Sequence, residues 1–177
     1  MHNFVSTPGT AVGRDEAVSA LFHRHCTDLV GLAFCLLGDR EAAEEVVQDA
    51  FVALHSHWRG LREQPAALPY LRAAVVNGCR SRQRRLVRAR AALPMLRPSI
   101  ASVPSTEDTA VGRDEAARLA AAVRTLPTRQ REVLACRFYL ELTETQTADL
   151  LHIGRPSVRT HERRALEGLT RRVEETR

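Results

Sequence analysis

Between Leu142 and Arg164 the residue types and their spacing point to contact with nucleic acid. Thr143 and Gln146 stand three apart, the interval of a capping box, in which each side chain satisfies a backbone donor left open at a helix start. The pattern predicts a helix from there to about Leu151, a break at His152-Ile153-Gly154, and a second helix opening on Arg155-Pro156-Ser157. Proline inside a first helical turn costs nothing, because its missing N–H has no partner to lose. Ala148, Leu151, Ile153, Val158, Ala165, Leu166, Leu169 and Val173 fall at spacings that bury one side of such a helix-turn-helix. Arg159, Thr160 and Arg163 share the opposite face, with Ser157 and Arg164 at its margin and Arg155 at the helix start. Arginines and hydroxyls so placed reach base edges and phosphates in a major groove. A solvated, salt-bridged surface helix would show the same polar face.

Charge is segregated along the rest of the chain. The 177 residues carry a formal net charge of +5, which favours a polyanionic partner. From Gln64 to Pro104 there are eight arginines and no acid, whereas Glu41, Glu44, Glu45 and Asp49 form an acid-only run just upstream. All 26 basic residues are arginine. That suits planar recognition of phosphate and guanine, and it is equally what an alanine-rich, GC-rich coding sequence gives.

Other chemistry finds little support. Cys26, Cys35, Cys79 and Cys136 form no C-x-x-C pair, which argues against a zinc site or a disulfide framework and for buried, reduced thiols. His23, His25 and Cys26, and His55 with His57, lack the spacing of a helical metal site. There is no phosphate-cradling glycine loop and no G-x-S-x-G nucleophile motif. No catalytic residue, metal or cofactor is therefore expected. The sequence shows no signal-like apolar region at its start and no apolar run near membrane-span length, so membrane insertion is not expected and a cytoplasmic location is.

The elements that must position these residues read as helices throughout, an all-α chain of two small domains. Residues 1–13 are expected to be a loose leader. Val18, Leu21, Phe22, Leu29, Leu32, Ala33 and Leu36 have helical spacing up to Gly38, a stop, and Asp39, an N-cap. A second helix then buries Ala43, Val46, Val47, Ala50, Phe51 and Leu54 and leaves its acids exposed. A third is expected after Pro69, with Tyr70, Leu71, Ala74, Val75 and Cys79 inward and Arg72, Arg80, Arg84, Arg85 and Arg88 extending a basic surface. These make a first domain over 14–90. Prolines and serines at 91–112 predict a flexible linker. Two more helices, separated at Leu126-Pro127 and carrying Leu119 to Val123 and then Val133, Leu134, Phe138 and Leu140, precede the helix-turn-helix in a second domain over 113–177.

Taken in order, these residues resemble the extracytoplasmic-function sigma factors, small two-domain members of the sigma-70 family. The stretch Gly38 to Phe51, Tyr70-Leu71-Arg72, Val76-Asn77 and Arg84-Arg85 carry the likeness in the first domain. Leu126-Pro127, Gln130 to Leu134, Leu142-Thr143, Ala148, Leu151, Val158-Arg159-Thr160 and Arg164-Ala165-Leu166 carry it in the second. The resemblance implies a bacterial transcription factor that binds core RNA polymerase and promoter DNA, recognises −35 and −10 elements, and initiates transcription. An anti-sigma factor is a common further partner in the family.

The same resemblance gives each charged surface a role. The second helix would dock on polymerase through Glu44, Glu45, Gln48 and Asp49; as residues alone they also suit a solvated acidic face. The third would read and open the −10 element, with Arg59 to Pro69 receiving a flipped base and Asn77, Arg80, Arg84 and Arg85 on DNA. Arg155, Ser157, Arg159, Thr160 and Arg163 would bind the −35 element. His152 stands where the family usually has the turn glycine, and Pro156 replaces a common glycine. The competing reading is a helix-turn-helix regulator that binds duplex DNA without docking on polymerase; it needs neither the acid run nor the arginine-rich third helix.

Overall fold

Acids in a first turn and glycine past a last turn are what a helix end asks for, and both bracket the first element. Helix α1 (Arg14–Leu37) carries Asp15 and Glu16 in its first turn and ends at Gly38, whose φ of 72° places it in the left-handed region. Asp39 then caps α2 (Arg40–His57), its side chain accepting from the Ala42 amide at 3.0 Å. The expected stripe of α2 is buried in full, from Ala43 to Leu54. Its Glu41, Glu44, Glu45, Gln48 and Asp49 are exposed.

The computed structural model describes residues 13–58, 66–92 and 110–175, and among them the chain is all helical. Helix α3 (Ala67–Ala92) begins two residues before Pro69, not after it as expected. The first turn tolerates the proline because its amides have no intrahelical acceptor. Leu71, Val75, Val76 and Cys79 of α3 close the three-helix core against Leu29, Leu32 and Leu36 of α1. By length and composition alone α1 is apolar enough to cross a bilayer, at a mean hydropathy of 1.2. Its leucines instead line the core of this bundle.

The second half runs through α4 (Ala110–Thr125), α5 (Thr128–Leu134), a π-helical turn (Ala135–Tyr139), α6 (Glu144–Leu151) and α7 (Arg155–Glu175). The expected break at Leu126-Pro127 is present, with Pro127 capping α5. The π turn was not expected; it leaves Phe138 58% and Tyr139 42% exposed. Arg137 ties this turn to the helices that follow, donating to the Leu142 carbonyl and, at 3.1 Å, to Glu162. Of the expected stripe in α6 and α7, Ala148, Leu151, Val158 and Ala165 are buried. Leu166 is 43% exposed, because it lies one residue, about 100° of helix, beyond the Val158 and Ala165 row. Val173 lies outside the residues whose side chains are described.

The two halves do not stand apart. One apolar cluster continues from Leu29, Leu71 and Val75 into Val133, Cys136, Leu142 and Val158, and α1 packs on α4, α5 and the π turn while α3 packs on α6. Cys79 and Cys136 lie in this cluster, and burial pushes both thiols up to about 12. Cys26 and Cys35 are only partly buried, a departure from the expectation for all four.

Candidate nucleic-acid interface

The helix-turn-helix is built by the local chemistry its sequence advertises. The Thr143 hydroxyl accepts from the Gln146 amide at 3.2 Å, and the Gln146 side chain accepts from the Thr143 amide at 2.8 Å. This completes the capping box at the start of α6. His152 ends the helix in the left-handed region at φ 54°, the conformation usually given to glycine. Ile153 donates back to the Ala148 carbonyl at 3.1 Å, and Gly154 accepts from the Ser157 and Val158 amides. Pro156 therefore sits in the first turn of α7 with no hydrogen bond displaced. The turn geometry survives both departures from the family pattern.

On α7 the polar face holds Arg155, Ser157, Arg159 and Arg163, all exposed, with Thr160 half-buried. Two of these arginines are already oriented. Glu144, in the first turn of α6, accepts from Arg155 Nε at 3.0 Å and from Arg159 Nε at 2.7 Å. The arginine side chains stay 58% and 66% exposed, while Glu144 keeps 20%. The Arg159 hydrogen bond, then that of Arg155, holds the Glu144 carboxyl below its ordinary value. The bonded atoms are the Nε groups, and these exposed side chains keep their terminal nitrogens for the pairing with guanine or phosphate that arginine makes. Thr160 instead donates to the Pro156 carbonyl at 2.9 Å, and Arg163 pairs with Glu167 at 3.1 Å. Glu144 was missed in the sequence, where it reads only as an acid suited to a helix start.

On α3, Arg84 and Arg85 are exposed, and Arg84 donates to Ser81 at 3.2 Å. Asn77 is exposed and accepts from Arg80 Nη1 at 3.3 Å. Arg80 differs from its neighbours. Its Nε and Nη2 make a two-pronged bond to Glu132 of α5, at 2.7 and 2.8 Å. Glu132 is 2% exposed and is also reached by Arg129 at 3.0 Å. The hydrogen bond from Glu132 raises the Arg80 guanidinium above its ordinary value.

The acidic face of α2 is likewise partly engaged. Arg40 donates to Glu44 at 2.8 Å, and Arg82 of α3 pairs with Glu45. Gln48 and Asp49 are exposed beside them. The acid and arginine surfaces thus lie on adjacent helices of one bundle. Of the stretch Arg59 to Pro69, residues 59–65 lie outside the described residues, as do 1–12 of the leader and 93–109 of the linker.

The chain matches the family model for sigma-70 region 2 over residues 21–89 and that for sigma-70 region 4 over residues 122–170, together about two thirds of its length. Its fold is similar to that of the sigma factor RpoE from Bartonella quintana, solved with the anti-sigma factor NepR. The TM-score is 0.76 at 16% identity, over 90% of this chain and 98% of that one. It is also similar to CnrH, solved with the cytosolic domain of CnrY, with a TM-score of 0.65 at 20% identity over 92% and 95% of the two chains. No curated protein matches the sequence.

Two outcomes are expected from this geometry. His152→Gly should stabilise the protein by about 0.5–1 kcal/mol, since a side chain in the left-handed region costs more than the freedom glycine restores. An unchanged or lower melting temperature would contradict that account of the turn. Because the carboxyl of Glu144 is depressed in the folded state, its pairing is fully present above the ordinary carboxylate range and is lost as pH falls through the lowered value. The Arg159 Nε–H resonance should accordingly stay protected from solvent exchange at neutral pH and lose protection in acid or in Glu144→Gln. Protection that ignores both changes would remove Glu144 from this role.

Proposed function

The chain belongs to the sigma-70 family, as a two-domain factor of the extracytoplasmic-function type that takes RNA polymerase to promoters, and from that premise we propose how its surfaces divide the work. Residues 14–90 form the region 2 domain, which binds core polymerase and the −10 element. Residues 113–177 form the region 4 domain, which binds the −35 element, and 91–112 link them. Glu44, Glu45, Gln48 and Asp49 dock on polymerase. Asn77, Arg80, Arg84 and Arg85 meet the opened DNA, and Arg155, Ser157, Arg159, Thr160 and Arg163 meet the upstream duplex.

The observation that carries this reading is the pairing of two opposed surfaces on one rigid bundle. An acid-bearing helix face is exposed while its apolar stripe is fully buried, and the helix packed beside it exposes Arg84, Arg85 and Arg88. Electrostatics of this kind steers each surface to a partner of opposite sign and rejects the other. In the second domain a bidentate arginine on guanine discriminates by about 1–3 kcal/mol per base pair, and Arg155 and Arg159 are the two that Glu144 holds ready. A duplex-only regulator leaves the acidic face of α2 without a use.

The protein carries no catalytic chemistry of its own in this reading; it lends polymerase its promoter preference. It works in the cytoplasm, where polymerase and promoter are. An anti-sigma factor is a further partner, by similarity to RpoE, which is held by NepR.

Run-off transcription with purified core polymerase and a panel of genomic promoters tests the proposal. A factor-dependent transcript is expected; its absence, together with failure to co-purify with core, would overturn the reading. Reversing charge at Glu45 and Asp49 should weaken core binding by about tenfold or more while promoter binding by the second domain is unchanged. Equal loss of both would contradict the division of labour.

A further inference from the structure

A cleft of about 510 Å³ runs between the C-terminal half of α3 and the start of α5. Its walls bring together four guanidinium groups, those of Arg80, Arg84 and Arg88 on α3 and of Arg129 on α5, with the single carboxylate of Glu132. Four cations against one anion leave three positive charges unmatched among the described lining residues. Glu132 is already engaged. Its Oε1 accepts from Arg80 Nε at 2.7 Å, and its Oε2 accepts from Arg80 Nη2 at 2.8 Å and from Arg129 Nη1 at 3.0 Å. Arg84 and Arg88 are exposed, and their hydrogen bonds go to neutral groups, from Arg84 Nη2 to the Ser81 hydroxyl at 3.2 Å and from Arg88 Nε to the Arg84 carbonyl at 3.3 Å.

Such a cluster works against the chain that carries it. Arg84 and Arg88 are four apart on one helix, where like charges repel and weaken it, and Arg129 adds a third charge from across the cleft. No acid lies anywhere from Gln64 to Pro104 to relieve α3 locally. An anion of high charge and small size removes the repulsion, and the volume decides its kind. A cleft of this size takes one molecule of nucleotide dimensions. One nucleotide of a nucleic-acid strand brings a single negative charge into that space, whereas a chain of linked phosphates brings at least one for each phosphate. Guanidinium forks hold phosphate oxygens in pairs, and their planar faces stack on flat rings. Val87, 65% exposed on the same wall, offers apolar surface beside them.

We infer that this cleft is a binding site for a nucleoside triphosphate or a similar nucleoside polyphosphate, with Arg84, Arg88 and Arg129 on the phosphate chain and Val87 against the base. Arg80 stays on Glu132 and fixes the floor of the site. The phosphate chain bridges α3 and α5, so while bound it takes Arg84 out of reach of any other phosphate. A bound nucleotide thus lowers the affinity for promoter DNA. That competition is the one part that rests on the function proposed above; the site itself does not.

Fluorescence anisotropy of mant-GTP titrated with the full chain, in magnesium-free buffer of constant ionic strength, tests the site. Saturable binding is expected, displaced by GTP about tenfold or more effectively than by GMP, which lacks the phosphate chain that the arginines grip. Arg88→Gln and, separately, Arg129→Gln should each weaken it by about tenfold, the effect of losing one charged hydrogen-bond partner. Both side chains are exposed, and Arg88→Gln leaves the Glu132 network untouched, so a melting temperature near that of the wild type should accompany the loss. Arg24→Gln, at an exposed position of α1 outside the cleft, should change nothing. Equal displacement by GMP and GTP, no response to either cleft variant, or an equal loss in Arg24→Gln would overturn the site and leave only attraction of anions to a basic protein. Inorganic tripolyphosphate should compete less well than GTP; displacement as effective as GTP's would overturn the assignment of a nucleoside. A labelled, mixed-sequence single-stranded oligonucleotide should lose little affinity in Arg129→Gln. A loss matching that of mant-GTP would make the cleft part of a strand's path and overturn the small-molecule reading. None of these measurements involves polymerase or a promoter, so each stands whether or not run-off transcription succeeds.

Discussion

A carboxylate that is almost wholly out of water must be matched by cations and hydrogen bonds, and in this chain Glu132 finds its two-pronged partner in the other domain. Arg80 and Glu132 are 52 residues apart in sequence, and nothing local brings them together. Removing one member of a buried pair typically costs about 3–5 kcal/mol, because the other is left charged and unpaired. The pair holds α5 of the second half against α3 of the first, and the apolar cluster that continues across both halves, the arginine cap on α1 and the seat of Tyr139 lie around it.

The two DNA-facing surfaces are prepared in different ways. On α7, Glu144 holds Arg155 and Arg159 by their Nε atoms and not by the terminal nitrogens, so the carboxylate pre-orients without blocking. On α3, Glu132 takes both Nε and Nη2 of Arg80, so the carboxylate competes with any phosphate. The chemistry is the same and the geometry decides its effect. Preorganisation lowers the entropy lost on binding, whereas an occupied guanidinium must give up its carboxylate before it can hold a phosphate.

What could be read from the sequence was set by range. The Gly38 stop, the Asp39 cap, the stripe of α2 and the Thr143–Gln146 box are interactions within a turn or two, and all are present as expected. The start of α3 was misplaced because Pro69 looks like a boundary, although a first turn accepts it. The π turn at Ala135–Tyr139 has no residue signature, and Phe138 was expected inside a helix face that the turn rotates outward. Glu132 was invisible for a stronger reason. Preceded by Arg129 and Arg131, it reads as one charge in a solvated helix, and its two-pronged partner Arg80 lies on α3, 52 residues away. Glu144 was hidden likewise, since its arginines lie on the next helix.

The central claim is that a sigma-70 family chain divides its work between an acid-bearing face on α2 and arginine-bearing faces on α3 and α7. Binding of Arg159→Ala to a panel of single-base variants of the upstream promoter duplex, and separately to core polymerase, measures that division directly. The account predicts a preference relaxed at one base position with core binding as in the wild type. An unaltered preference, or a matching loss of core binding, would contradict it.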